Sequence, residues 1–183
     1  MDRLIDAGFG LDDDTVRLAR VGRSWVDAGR QLADDVAAVL GDTVAAVEPI
    51  GSSSVLGLLA KPIVDLAVGL GPDQPLDPVA ERLGAAGWVS RGDAGTQGGH
   101  VFLLSARPGH RLAHVHVVDH DGDQWRNYLS LRDLLRRSVD ARTRYEAVKQ
   151  RLWDDVGDDR DAYTDGKTAV IRSLLAEASR SDG

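Results

Sequence analysis

The residues best suited to chemistry lie in one stretch, from Ile50 through Gly51, Ser52, Ser53 and Ser54 to Lys61, Pro62 and Asp65. Gly51 lets the backbone approach a ligand with no side chain in the way. The three serines offer hydroxyls, and N–H groups opening a short helix there would form an anion site. Asp65 is the one carboxylate in the apolar run Ile63–Leu70. A run without alternation reads as a strand buried on both faces. A carboxylate inside it is expensive unless a cation or hydrogen bonds compensate it. The same pattern fits a plain Ser-rich turn followed by an Asp held by backbone donors, and spacing alone leaves both readings open.

Two further groups could join this stretch. His114 and His116 stand two apart in the apolar run Leu112–Val118, so on a strand both imidazoles project from one face. Such a pair can bind a metal or a phosphate, or one ring can serve as acid or base; it can equally be a hydrogen-bonded pair near a sheet surface. Arg132 and Arg136 lie one turn apart on a helix expected over Trp125–Arg136, and they either clamp one phosphate or pair with acids on a solvated face. From Gly122 to Arg151 there are eight Arg or Lys against four Asp or Glu, in a chain of net charge -7. That polarity suits an anionic small molecule, while the overall charge speaks against a nucleic-acid duplex. The Asp119–Asp123 turn has the look of a calcium loop but lacks the distal Glu such a loop requires.

At these residues the chain resembles the GrpB-like family, a branch of the nucleotidyltransferase superfamily. Its members carry Glu-His-Ile-Gly-Ser-Thr-Ser-Val-Pro-Gly-Leu and then Lys-Pro-Ile-Ile-Asp. Glu48, Ile50, Gly51, Ser52, Val55, Gly57, Leu58, Lys61, Pro62 and Asp65 match that pattern. The likeness continues through His114 and His116, Leu131–Arg136, Tyr145 with Lys149, and Tyr163 with Lys167, from about Trp25 to the C-terminal helix. Pro49 stands where a His is usual and Leu56 where a Pro is usual. Ala67 stands where the superfamily has a second carboxylate, a loss that resembles the GrpB-like family at large.

The resemblance implies an α+β fold with a nucleotidyltransferase-like mixed sheet flanked by N-terminal and C-terminal helices. It also implies a nucleoside triphosphate or related phosphorylated small molecule as partner. Gly51, Ser52, Ser53, Lys61, Arg132 and Arg136 would hold phosphate, and Asp65, His114 and His116 would hold a divalent metal. Asp65 and His116 would be the catalytic pair. One Asp with two imidazoles suits Mn²⁺ or Zn²⁺ better than Mg²⁺, which prefers oxygen ligands. The alternative is an inactive sensor or carrier of a nucleotide or coenzyme A-like compound, since the family is similar to an extension fused to dephospho-coenzyme A kinase in some bacteria.

Elements must position these residues. Trp25, Gly29, Leu32, Val36 and Leu40 recur at helical spacing and Gly41 follows them, which predicts a long helix ending there. Strands are expected near 43–50, 62–69, 87–91, 100–105 and 112–119, with a short helix over Val79–Ala86. Asp77-Pro78 reads as a breaker, Arg91–Gly99 as a glycine-rich loop, and Leu11–Asp14 as a helix start with acids at its N-terminus. Helices over Asp140–Leu152 and from near Asp158 complete the chain, the last burying Tyr163, Val170, Leu174 and Ala178. A chain of 183 residues, 43% hydrophobic and 28% charged, is expected to form a single domain over 1–183, with about 1–15 and 180–183 peripheral. No cysteine excludes disulfides and thiolate metal sites. The start lacks the apolar core of a signal peptide and no run approaches spanning length, so no membrane partner and a cytoplasmic location are expected.

Overall fold

The computed structural model describes residues 1–13, 15, 17–94, 99–156 and 166–181. Among these, eight strands form: β1 Leu11–Asp12, β2 Ala19–Arg20, β3 Ala46–Ile50, β4 Leu59–Ala60, β5 Val64–Leu70, β6 Val89–Asp93, β7 His100–Arg107 and β8 His110–Asp119. The helices are α1 Asp2–Asp6, α2 Arg23–Leu40, α3 Leu76–Ala85, α4 Asp123–Arg137, α5 Val139–Val156 and α6 Thr168–Ser181. The fold is α+β, built on a six-stranded sheet in the order β3-β5-β8-β7-β6 with β1 beside β8. Every neighbouring pair is antiparallel except β5 and β8, which run parallel.

That central parallel pair is covered on both faces, as its unbroken apolar character requires. Val64, Leu66 and Val68 of β5 join Ala113, Val115 and Val117 of β8 in the main core, under Trp25, Val36 and Leu40 of α2 and Val79 and Leu83 of α3. The opposite face carries a smaller cluster of Ile50, Ala67, Val118 and Trp125, roofed by α4. A third apolar cluster ties Val55 and Leu58 to Leu134, Leu135, Tyr145, Leu174 and Ala178 of the last three helices. Helix α2 is amphipathic, and Gly29 lets it sit close to Val64. Gly41 ends it at φ 56. Trp25 adds a polar anchor, its Nε1 donating to the Ala7 carbonyl at 2.8 Å while its ring lies 4.6 Å from that of Phe9.

Several elements differ from their local signals. The acids at Leu11–Asp14 suggest a helix start, yet Leu11 and Asp12 form β1. Strand β8 begins at His110, whereas its pairing with β5 begins only at Ala113, and β1 takes the backbone groups left open at Arg111 and His110. Tertiary pairing wins over the charge preference, and Asp12 then accepts from Arg107 at 2.9 Å and His110 at 2.8 Å. Pro78 does not break the chain. Helix α3 begins at Leu76 and places Pro78 in its first turn, where a missing N–H costs nothing. Strand β3 starts at Ala46 because Gly41–Thr43 form one 3₁₀ turn first. Strand β6 runs to Asp93 through a bulge between Ser90 and Gly92, and the heart of the expected 91–99 loop falls outside the described residues. Helix α5 extends to Val156, and the expected helix start near Asp158 and the Tyr163 contact also fall outside them. Among the described residues no helix is long and apolar enough to cross a membrane.

Candidate functional site

Side-chain alternation and strand register assemble the centre. Asp65 lies directly opposite His114 across the parallel pair, and Ala67 opposite His116. Asp65, Ala67, His114 and His116 therefore share the face away from α2. His114 Nδ1 lies 3.1 Å from Asp65 Oδ1, and His116 Nε2 lies 3.8 Å from the same oxygen. The two rings meet edge-on, and His116 also stands against the Tyr128 ring of α4 at 5.5 Å. Burial pushes the Asp65 carboxyl up, but hydrogen bonds from His114 and His116 outweigh it and hold the group well below the usual carboxylate range. The far nitrogen of each ring, His114 Nε2 and His116 Nδ1, has no hydrogen-bond partner among the described residues. An unpartnered buried polar atom costs about 1–3 kcal/mol, and folds tolerate such a cost mainly at working sites.

Gly51 sits beside this cluster for a steric reason. Ile50 pairs with Asp65, and the chain then turns over the carboxylate at Gly51 with φ 67. A Cβ built there would lie 2.7 Å from Asp65 Oδ2. Gly51→Ala is therefore expected to destabilise the protein by about 2–4 kcal/mol, from strain and overlap together. Urea unfolding measures the loss, and a variant as stable as wild type would mean the turn can re-form elsewhere. Beyond Gly51 the serines form a single 3₁₀ turn, Ser52–Ser54, rather than a helix long enough to present an array of N–H groups. Ser54 Oγ is turned back to donate to the Gly51 carbonyl at 2.8 Å.

These groups open onto a cavity of about 400 Å³ between the sheet and the last three helices. Gly51, Ser52, Ser53, Lys61, Asp65, His114, His116 and Arg132 all line it. Arg132 reaches it already engaged, for its guanidinium donates to Glu48 Oε2 at 2.7 Å, Asp133 Oδ1 at 2.8 Å and the Pro49 carbonyl at 3.1 Å. It is chiefly the clamp that holds α4 on β3. The structure does not bring Arg136 into this cavity: it donates to the Ser54 carbonyl at 3.1 Å and lines a small crevice near Trp25 and Pro49. Of the two arginines, only Arg132 lines this cavity. Helical spacing puts them one turn apart, and both heads reach Asp133 Oδ1, Arg132 at 2.8 Å and Arg136 at 3.5 Å. Pro49 pairs with Leu66 and so belongs to the opposite face of the sheet from the histidines.

Three lining residues were given no role from the sequence: Tyr145, Lys149 and Lys167. Lys149 has a local signal. It falls one turn after Tyr145 on the buried stripe of α5, where a lysine is out of place, and it is 2% exposed. Its Nζ donates to Ser52 Oγ at 3.1 Å and to the Leu59 carbonyl, and lies 5.0 Å from the centre of the Tyr145 ring. Burial, with help from Lys167 and Lys61, pushes the Lys149 amine down to about 7 against the opposing pull of Glu146 and Asp65. Nothing local signals Lys167, which the fold delivers from just before α6.

The donor set can take a divalent ion. One ligand atom each from Asp65, His114 and His116 all lie within 4.8 Å of one another. Ligands about 2.0–2.2 Å from a shared metal are about 3–3.5 Å apart, so small side-chain rotations suffice. Two imidazoles and one carboxylate favour Zn²⁺ or Mn²⁺ over Mg²⁺ and leave positions open for water or ligand.

Comparison with known proteins identifies the family of the chain. The family model described as GrpB protein matches residues 15–177. A UPF0157 protein of Deinococcus radiodurans is 37% identical over 137 residues, covering 75% of this chain and 69% of that one. The glutamate-rich protein GrpB of Alkalihalophilus pseudofirmus is 30% identical over 145 residues, covering 76% and 82% respectively. The crystal structure of the conserved protein GrpB from Enterococcus faecalis superposes with a TM-score of 0.79 at 28% identity, over 90% of this chain and 98% of that one. With a family model spanning most of the chain, relatives of 30% identity or more and a solved structure of the same fold, the chain belongs to the GrpB family.

Proposed function

We propose that the cavity binds a nucleoside triphosphate or a related phosphorylated small molecule, with a divalent metal at Asp65, His114 and His116, and that the protein transfers a nucleotidyl group from it. One observation carries this reading: a carboxylate and two imidazoles on one sheet face look across a single cavity at Lys61, Lys149 and Lys167. Lys61 and Lys167 on the wall offset triphosphate charge, and they favour a pyrophosphate leaving group over the ground state as its charge develops. A metal held by the cluster would supply Lewis acidity at the phosphate. Without metal, Asp65 orients the imidazole of His114 through the 3.1 Å contact; His116, next to the same oxygen, either completes the metal site or accepts a proton from an attacking group.

A second reading, a sensor or carrier of a nucleotide or coenzyme A-like compound without turnover, is favoured by Ala67. This residue occupies the position of a second strand carboxylate and is fully buried beneath α4. Thermal scans against nucleoside triphosphates and coenzyme A, each with Mg²⁺, Mn²⁺ or Zn²⁺, test both. Stabilisation with metal-dependent pyrophosphate release supports transfer, stabilisation without release supports the sensor, and no shift with any combination rejects both.

A further inference from the structure

Of the three serines in the turn, only Ser52 has its hydroxyl against a buried amine. Lys149 Nζ lies 3.1 Å from Ser52 Oγ, and its other partner, the Leu59 carbonyl, is also neutral. Tyr145, one turn earlier on α5, lines the same cavity as Ser52. The charged groups facing the amine are Lys61 from the segment between β4 and β5, Lys167 from just before α6, Asp65 from β5, and Glu146 from its own helix. Glu146 cannot neutralise the lysine at close range. Its Oε1 accepts from the Leu59 N–H at 2.8 Å and from Arg20 at 3.2 Å. A buried lysine whose direct contacts are neutral oxygens, with Lys61 and Lys167 opposing the pull of Asp65 and Glu146, gives up its proton readily, and a neutral amine within hydrogen-bond reach of a serine hydroxyl is a nucleophile–base pair.

We propose that Ser52 is itself the first acceptor of the cavity, with Lys149 as its base, so that the protein passes through a covalent nucleotidyl-serine. This rests on the reading that a nucleoside triphosphate binds here, and it names the acceptor which that reading leaves open. Ser52 Oγ forms a bond to the α-phosphorus while its proton moves to Lys149 Nζ. The bond from the α-phosphorus to the bridging oxygen breaks, and pyrophosphate leaves with the electron pair. Water then attacks the same phosphorus, Ser52 Oγ departs and recovers the proton from Lys149, and the proton lost by water goes to solvent. The products are a nucleoside monophosphate and pyrophosphate.

The test incubates the full chain with α-labelled ATP and Mn²⁺, followed by intact mass and peptide mapping, with nucleotide-induced melting shifts recorded for every variant. The expected result is one adduct, on Ser52, absent from Ser52→Ala and formed about 100-fold more slowly in Lys149→Met. The wild-type rate should climb with pH and level off above about 7, where the amine is neutral, and the variant should lack that rise. A purely structural lysine would not shape the pH profile. Nucleotide stabilisation without an adduct overturns the proposal while leaving the binding reading intact, as does an adduct mapped elsewhere or an unchanged rate in Lys149→Met. If nucleotide neither stabilises nor labels, the binding reading fails, and a fluorophosphonate then judges the pair alone. Lys149-dependent labelling of Ser52 would uphold it, and no labelling would reject it.

Discussion

Replacing Asp65 by alanine is expected to abolish the stabilisation proposed for nucleotide and metal. A ligand present at about 100 times its dissociation constant contributes about 2.7 kcal/mol, which for a chain of this size raises the melting temperature by about 5–10 °C. Asp65 carries the only negative charge in the metal cluster and fixes the His114 ring. Its loss would remove the proposed metal site and leave an imidazole N–H unpaired, an added cost of about 1–3 kcal/mol to the ligand-free fold. Asp65→Asn separates the two effects, because the amide keeps a hydrogen-bond acceptor for His114 but not the charge. It should fold near wild type and still fail to respond to metal. Retention of the full nucleotide shift in Asp65→Ala would place the ligand elsewhere on the molecule.

The same carboxylate carries a pH signature. Its folded value is depressed below the ordinary 3.8, so the unfolded chain binds more protons between the two values. The stability it contributes is complete above the unfolded value and is lost as pH falls through the folded one. Acid titration below pH 4 should therefore destabilise wild type more steeply than Asp65→Asn.

Lys149→Met is expected to act in the opposite direction on stability while slowing the proposed labelling of Ser52. The amine falls from 10.5 to about 7 on folding, so between those values the unfolded chain again binds more protons and stability rises with pH. Below about 7 the full penalty for the buried charge is present, and it is relieved as pH climbs toward 10.5. Methionine carries no such penalty but gives up the hydrogen bonds to Ser52 and Leu59. The balance at pH 7 is a gain of about 1–3 kcal/mol for the variant, shrinking toward pH 10. Paired denaturant titrations at pH 6, 8 and 10 measure it. A difference that stays constant across this range would show that Lys149 is charged throughout. A more stable but slower variant would also explain a lysine on an otherwise apolar helix face, since working sites commonly trade stability for function.

Much of this site is written in local sequence. An unbroken apolar run needs cover on both faces, so β5 had to be interior and its one carboxylate had to find partners. A period of two put His114 and His116 on one face of β8. A period of 3.6 marked α2 with its buried Trp25, Val36 and Leu40. Tertiary structure alone decided which strand lies beside β5, in which direction and in which register. A slip of one residue between β5 and β8 would have turned the histidines toward α2 and left Asp65 among aliphatic side chains. Tertiary structure also drew Leu11 and Asp12 into β1, turned Arg136 away from the cavity, and brought Lys149 to Ser52 across 97 positions of sequence. The physical reason is common to all three. Local periodicity fixes the face a side chain leaves from, whereas its partner is set by strand pairing and helix docking between segments far apart in the chain.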